Sequence, residues 1–309
     1  MTNITPPYLS HGDTIGLIAT ARAVVRDEIM QAVKYLTSKG FMVKTAPHLF
    51  SKQNQFAGTD EERAQDFMEM VEDPNVKAIL CARGGYGTVR ILDYINLRKL
   101  QLNPKWIIGY SDITVLHSII TTWYGVETLH AIMPISFPKD LTGDKSVQML
   151  VDVLTGINPV YEVEPNSYNK KGSAQGILTG GNLSILVNLI GTDADFSAQG
   201  RILFIEDVDE YLYHIDRMMM QLRRTGKLKA ISGLIVGTFT KMRDNEVPFG
   251  SDAYDIIHSA TRDLKIPICF GFPAGHSEPN LPLIMGRQIK LDVTNEGSKV
   301  TFESELTAY

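Results

Sequence analysis

Residues 76–87 read VKAILCARGGYG. Val76–Cys81 is a near-continuous apolar run of strand length, as expected of a strand covered on both faces. The glycines that follow mark a sharp turn, and Thr88–Tyr94 resumes at helical spacing. Strand, turn and helix in that order form the repeating unit of a parallel α/β sheet. The same unit recurs on either side. Upstream, Thr14–Ala19 reads as a strand, Asp27–Ser38 as a helix ending at Gly40, and Phe41–Thr45 as a strand, and Thr59 and Asp60 can cap a helix running to Glu72. Downstream, Trp106–Tyr110 is a strand and Asp112–Trp123 the helix after it.

The rhythm stops between Thr155 and Gly176, where Pro, Asn, Gly, Ser, Lys and Tyr replace the apolar periodicity. Beyond it, strands are expected at Arg201–Ile205, Gly233–Phe239 and Ile266–Phe270. Helices are expected at Leu183–Leu189, Tyr211–Arg224 and Tyr254–Asp263, with a closing hairpin from Gln288–Val293 and Lys299–Glu303. At roughly 100–200 residues per domain, a chain of 309 residues accommodates two. The expected fold class is α/β. A doubly wound, mainly parallel N-terminal domain spans 1–154, a linker 155–176, and a smaller, β-rich α+β domain 177–309.

Composition narrows the function classes. Hydrophobic residues at 44% and charged residues at 21% match ordinary globular chains and exclude intrinsic disorder. Thirty Lys+Arg against 35 Asp+Glu leave a net charge of −5, which opposes binding to nucleic acid or an anionic membrane. Cys81 and Cys269 lack metal-site or disulfide spacing and read as reduced thiols, with Cys81 filling a buried strand position. Met1–Gly12 carries no basic segment followed by an apolar stretch, and no run approaches the ~18 apolar residues of a membrane span. The expected location is the cytosol.

Three stretches offer chemistry. Arg83-Gly84-Gly85-Tyr86-Gly87 follows a buried strand, so its N–H groups can face the crevice at the sheet's carboxyl edge; a tight turn needing glycines is the plainer reading. It matches neither nucleotide-binding glycine pattern. At the next junction, Gly109-Tyr110-Ser111-Asp112-Ile113 begins like a nucleophile elbow, although Ile113 stands where a last glycine would be. Ser111 or Asp112 could equally be a helix N-cap. In Leu203–Glu210, Asp207, Asp209 and Glu210 suit the start of a helix, whereas Glu206 ends an apolar run and can orient a histidine. A metal pair of Glu210 and His214 lacks a third ligand.

Among seven histidines, His276 lies in the Gly/Pro-rich stretch FGFPAGHSEPNLPLIMG, a composition typical of functional loops. His117 reads as a packed helix residue, His130 ends a strand-like run near the same sheet edge, and His11, His48, His214 and His258 read as surface residues. Ser111, Glu206 and His276 follow the chain order of α/β-hydrolase-type triads.

Taken together, GLIATA, ARGGYG, IIGYSDIT, GGNLS, LFIEDVDE and GHSEPNLPLIMG resemble, in order, the motifs of the serine LD-carboxypeptidase family, which includes the microcin C self-immunity peptidases. The resemblance spans nearly the whole chain. It implies a cofactor-free, metal-free peptidase, often a homodimer, with Ser111 as nucleophile and His276 as general base oriented by Glu206. It also implies an oxyanion hole from the N–H groups of Asp112 and Gly85. The implied substrate bond joins an L-configured centre to the terminal D-alanine of cytosolic murein tetrapeptides. Arg83 and Asn182 are candidates for its carboxylate, with bracing of the turn as the other role open to Arg83.

Two departures from the family pattern bear on substrate binding. The opening turn is Thr20-Ala21-Arg22 where relatives often have Pro and Ser, and Ala131-Ile132-Met133-Pro134 replaces a frequent Gly-Pro after His130. A rival substrate within the family is an aminoacyl-nucleotide antibiotic. A rival from another class is a non-enzymatic protein with two α/β lobes closing over a ligand. Ser111 precedes the polar stretch while Glu206 and His276 follow it, so the expected active site lies between two domains, neither active alone.

Overall fold

The computed structural model describes residues 3–303 and divides them into two compact units. Unit one runs to Ile157 and also takes in Leu281–Gly286; unit two comprises Asn158–Asn280 and the chain from Arg287 onward.

In unit one, β1 (Thr14–Ile18), β2 (Met42–Thr45), β3 (Val76–Cys81), β4 (Trp106–Gly109) and β5 (Thr128–His130) form a parallel sheet. Their order is β5-β4-β3-β1-β2. Ile15, Leu17, Ile79, Leu80, Ile107 and Ile108 are all buried, which is why these strands read as unbroken apolar runs rather than alternating ones. The helix Asp60–Glu72 starts on a capping box. Thr59 Oγ1 accepts the Glu62 N–H at 3.2 Å, and Glu62 Oε2 accepts the Thr59 N–H at 2.9 Å.

Unit two contributes β6 (Val160–Val163), β7 (Gly172–Asn182), β8 (Ile202–Val208), β9 (Gly233–Thr240) and β10 (Ile268–Phe270). The chain then supplies β11 (Leu283–Met285), which pairs antiparallel with β5 at the end of the unit-one sheet, with Leu283 opposite His130. The final strands are β12 (Gln288–Val293) and β13 (Ser298–Phe302), an antiparallel pair in unit two. The second sheet is ordered β10-β9-β8-β7-β12-β13-β6, parallel from β7 to β10 and antiparallel from β7 to β6. The helix Leu212–Arg224 places Ile215, Met219 and Leu222 at helical spacing against Leu203, Ile205 and Leu234.

The stretch 155–176, read from composition as a linker, carries β6 and the opening of β7. β7 has two partners: Gly172–Ile177 pairs antiparallel with β12, and Leu178–Asn182 pairs parallel with β8. Its first residues are largely exposed and its last fully buried, so polar residues fill the outer half and hide the strand pattern. Among the described residues, no helix is long and apolar enough to cross a membrane.

Candidate active site

Strand β4 ends at Gly109, Tyr110 is extended, and Ser111 takes a left-handed conformation with φ +62° before the chain enters the helical segment that follows. A non-glycine residue there costs about 1–2 kcal/mol, and such strain gathers at functional sites. No side-chain cap bond forms at either helical start after β4. Asp112 instead turns its buried carboxylate to the preceding turn, where Oδ2 accepts the Thr88 N–H at 2.8 Å. Burial pushes its pKa up, against the lowering pull of the Thr88 hydrogen bonds.

The glycine turn packs against this elbow. A Cβ added at Gly84 would stand 3.1 Å from Ser111 Cβ, 3.3 Å from its Oγ and 3.4 Å from the Asp112 nitrogen, so any side chain there would press on the elbow by a few tenths of an ångström. Gly85 has φ +112° and lies under the Arg22 side chain. Arg63, absent from the sequence-derived candidates, holds the turn from behind. Its Nη1 donates to Thr20 O at 2.5 Å and to Gly87 O at 2.9 Å, and its Nη2 pairs with Asp60. Arg83, a candidate for that brace or for substrate, donates to Ala23 O at 3.3 Å and lines a cavity.

His117 is the packed helix residue expected from its spacing. Its Nε2 lies 2.9 Å from Gly109 O and its Nδ1 2.8 Å from Thr128 Oγ1, and burial pushes its pKa down to about 4. The neutral ring therefore donates from Nε2 and accepts at Nδ1, tying the elbow to β5. His130 is buried beside the rings of Tyr110 and His117.

In unit two, Glu206 sits in β8 with no exposed surface, and its Oε2 lies 2.7 Å from His276 Nδ1. The loop bearing His276 is stitched to β9: Thr238 N donates to Ala274 O at 3.1 Å and Thr240 Oγ1 to His276 O at 3.1 Å. Gly275, at φ +121°, allows the close approach, because a Cβ there would come within 2.8 Å of both Cβ and Oε2 of Glu206. Burial opposes the imidazolium, yet the Glu206 hydrogen bond with the Glu206 and Asp207 charges outweighs it, and the His276 pKa is raised.

Asn182 has a different setting from the one its candidacy assumed. It is buried opposite Glu206 in the β7–β8 ladder, where Nδ2 donates to Glu206 Oε1 at 3.3 Å and Asp207 Oδ1 at 2.9 Å. Its Oδ1 caps the helix Leu183–Asn188, accepting from Ser184 Oγ at 2.7 Å and Ile185 N at 3.3 Å. Asp207, read as a helix-start residue, is buried inside β8 instead; the β8–β9 register shifts between Ile205 and Asp207, and both consecutive carboxylates are buried. Asp209 pairs with Arg243, and Glu210 Oε2 lies 2.8 Å from His214 Nδ1. Among the described residues, no group of three His, Cys, Asp or Glu side chains could hold a metal ion.

Comparison with known proteins agrees with this architecture. Family descriptions of the LD-carboxypeptidase N-terminal and C-terminal domains match residues 15–131 and 175–291. The chain is 35% identical over 303 residues to a probable murein peptide carboxypeptidase of Bacillus subtilis, covering 95% of this chain and 93% of the relative. It is 27% identical to the microcin C7 self-immunity protein of Escherichia coli, covering 95% and 94% respectively. The crystal structure of a muramoyltetrapeptide carboxypeptidase from Oxalobacter formigenes superposes with a TM-score of 0.87 at 28% identity, over 94% of this chain and 99% of that one. Matches to both halves of the family, in order and over most of the chain, replace the ligand-binding alternative with an enzyme: the protein belongs to the LD-carboxypeptidase family and is a peptidase.

Proposed function

We propose that this peptidase removes the terminal D-alanine from murein tetrapeptides in the cytosol by a serine acyl-enzyme mechanism. The observation that carries the reading is the 2.7 Å contact between His276 Nδ1 and buried Glu206. A carboxylate on Nδ1 fixes the tautomer that leaves Nε2 as the base. Ser111, strained at its elbow, is the nucleophile.

Nε2 of His276 takes the Ser111 proton as Oγ bonds to the scissile carbonyl carbon, and Glu206 stabilises the resulting imidazolium. The N–H groups of Asp112 and Gly85 receive the oxyanion, and each such donor contributes about 3 kcal/mol in comparable sites. His276 gives the proton to the departing D-alanine amine as the C–N bond breaks. Water then attacks the ester, its proton passing through His276 back to Ser111. Arg83 is assigned to a substrate carboxylate, while the contacts of Asn182 favour the positioning of Glu206.

The names of the relatives support a murein peptide substrate. The self-immunity relative makes an aminoacyl-nucleotide amide the competing substrate, and parallel hydrolysis rates on both compounds separate the two readings. Ser111→Ala is expected to abolish turnover with an unchanged fold, and a fluorophosphonate is expected to label Ser111 in the native protein. Turnover by a folded Ser111→Ala variant would remove Ser111 from the mechanism.

A further inference from the structure

Unit one contains a cavity of about 530 Å³ lined by Arg22, Lys52 and Arg83, with Glu28, Phe50 and Asn54 completing its wall. Pockets of about 300–1,000 Å³ are of ligand size. Three cations therefore face one carboxylate, in a chain whose net charge is −5. Glu28 is already engaged, its Oε2 accepting the Val25 N–H at 2.8 Å in the cap of the helix Arg26–Ser38. Among the described residues, no ion pair neutralises Arg22, Lys52 or Arg83. Arg26 adds to the positive field, lying 4.9 Å from the centre of the Phe50 ring.

The wall is continuous with the serine elbow. Arg83 is pinned to Ala23 O at 3.3 Å and leads directly into Gly84, which packs on Ser111. Arg22 arches over Gly85, where an added Cβ would come within 2.6 Å of Arg22 Cδ. Unpaired cations beside a reactive group raise the local concentration of anions and hold carboxylates through charge-assisted hydrogen bonds.

We propose that this cavity is an anion subsite that holds a carboxylate of an acidic peptide while the scissile carbonyl lies at Ser111. The assignment deepens the peptidase reading and rests on it for the identity of the peptide. Arg22 and Lys52 select for charge, Arg83 supplies a fixed donor, and Phe50 offers an apolar face to the neighbouring part of the chain.

Two measurements test this. N-Acetyl-D-glutamate, titrated while the arginine Nε–H resonances are followed by NMR, is expected to give saturable shifts that Arg22→Ala/Lys52→Ala removes. Absence of saturable shifts, or their persistence in that variant, would overturn the subsite. Tetrapeptides amidated at one carboxylate at a time are then titrated calorimetrically into Ser111→Ala. One amide is expected to bind about tenfold more weakly than the acid, a difference of about 1.4 kcal/mol. The penalty should vanish when Arg22→Ala and Lys52→Ala are added; if it stays, or no amide is penalised, the peptide assignment is wrong. Wild-type turnover of the unmodified tetrapeptide reads the underlying function separately: saturable glutamate shifts without turnover would keep the anion subsite and overturn the substrate.

Discussion

His276 Nδ1 lies 2.7 Å from Oε2 of Glu206, a carboxylate with no exposed surface. The pair, with Asp207 behind it, raises the His276 pKa above its ordinary value of 6.5 despite burial. A general base must be neutral, so kcat/KM for tetrapeptide should fall as pH drops through a midpoint above 6.5. The corresponding stability runs the other way: present at low pH, it is lost as pH rises through the folded-state value. Glu206→Gln removes the charge and should move the kinetic midpoint down while lowering kcat on the order of 10⁴-fold. An unmoved midpoint in the pH–rate profile would separate the kinetic base from His276.

Ser111 carries its left-handed φ of +62° without a cap bond to offset the strain. Ser111→Gly relieves the Cβ clash, less the extra entropy glycine loses on folding, and should stabilise the protein by about 0.5–1 kcal/mol. Turnover should vanish with the hydroxyl. Thermal melting beside a hydrolysis assay reads both effects, and a lower Tm would contradict the strain.

Arg63 is fully buried and holds Thr20 O, Gly87 O and Asp60 together. Arg63→Met keeps much of the volume but removes the Arg63 donor from Thr20 O, while Gly87 O keeps the Arg90 N–H and Asp60 keeps the Arg90 guanidinium. Leaving a buried carbonyl without its donor costs about 1–3 kcal/mol. Urea unfolding should show a loss of that order, with labelling of Ser111 by fluorophosphonate slowed as the glycine turn loosens.

Asp207 is pushed up to about 7 by burial, with the Glu206 charge adding to the shift. Its folded-state pKa lies above the ordinary 3.8, so the folded protein holds the proton more tightly and stability falls as pH rises from about 4 to about 7. Asp207→Asn should flatten stability over that window. It should also leave stability at pH 5 nearly unchanged, because the protonated acid and the amide each present one acceptor and one donor group to Ser184, Asn182 and Val208. Denaturant midpoints at several pH values check both.

Much of the local order was legible from periodicity. The parallel strands β1, β3 and β4 appear as apolar runs because both their faces are covered, and the Thr59 cap and the closing β12–β13 hairpin follow from short-range patterns. The proposed triad stood out for a related reason: Ser111, Glu206 and His276 each follow or end an apolar run in a segment whose polarity or glycine content breaks the local rule. β11 was not legible, since three apolar residues in a Gly/Pro-rich loop have no period of their own and become a strand only by pairing with β5. Arg63 looked like any helix-surface charge, because its acceptors Thr20 O and Gly87 O lie 43 and 24 residues away.

The sequence by itself determined the alternation of elements, the acidic charge balance and the family to which the chain belongs, because each is written in residue order or composition. Only the tertiary structure decided that β7 divides its edges between β12 and β8, that Asn182 spends its amide on Glu206 and Asp207, and that Asp207 is buried. Those outcomes depend on which strands become neighbours. Hydrogen-bond partners and desolvation are properties of that long-range pairing, and no local pattern of residues encodes them.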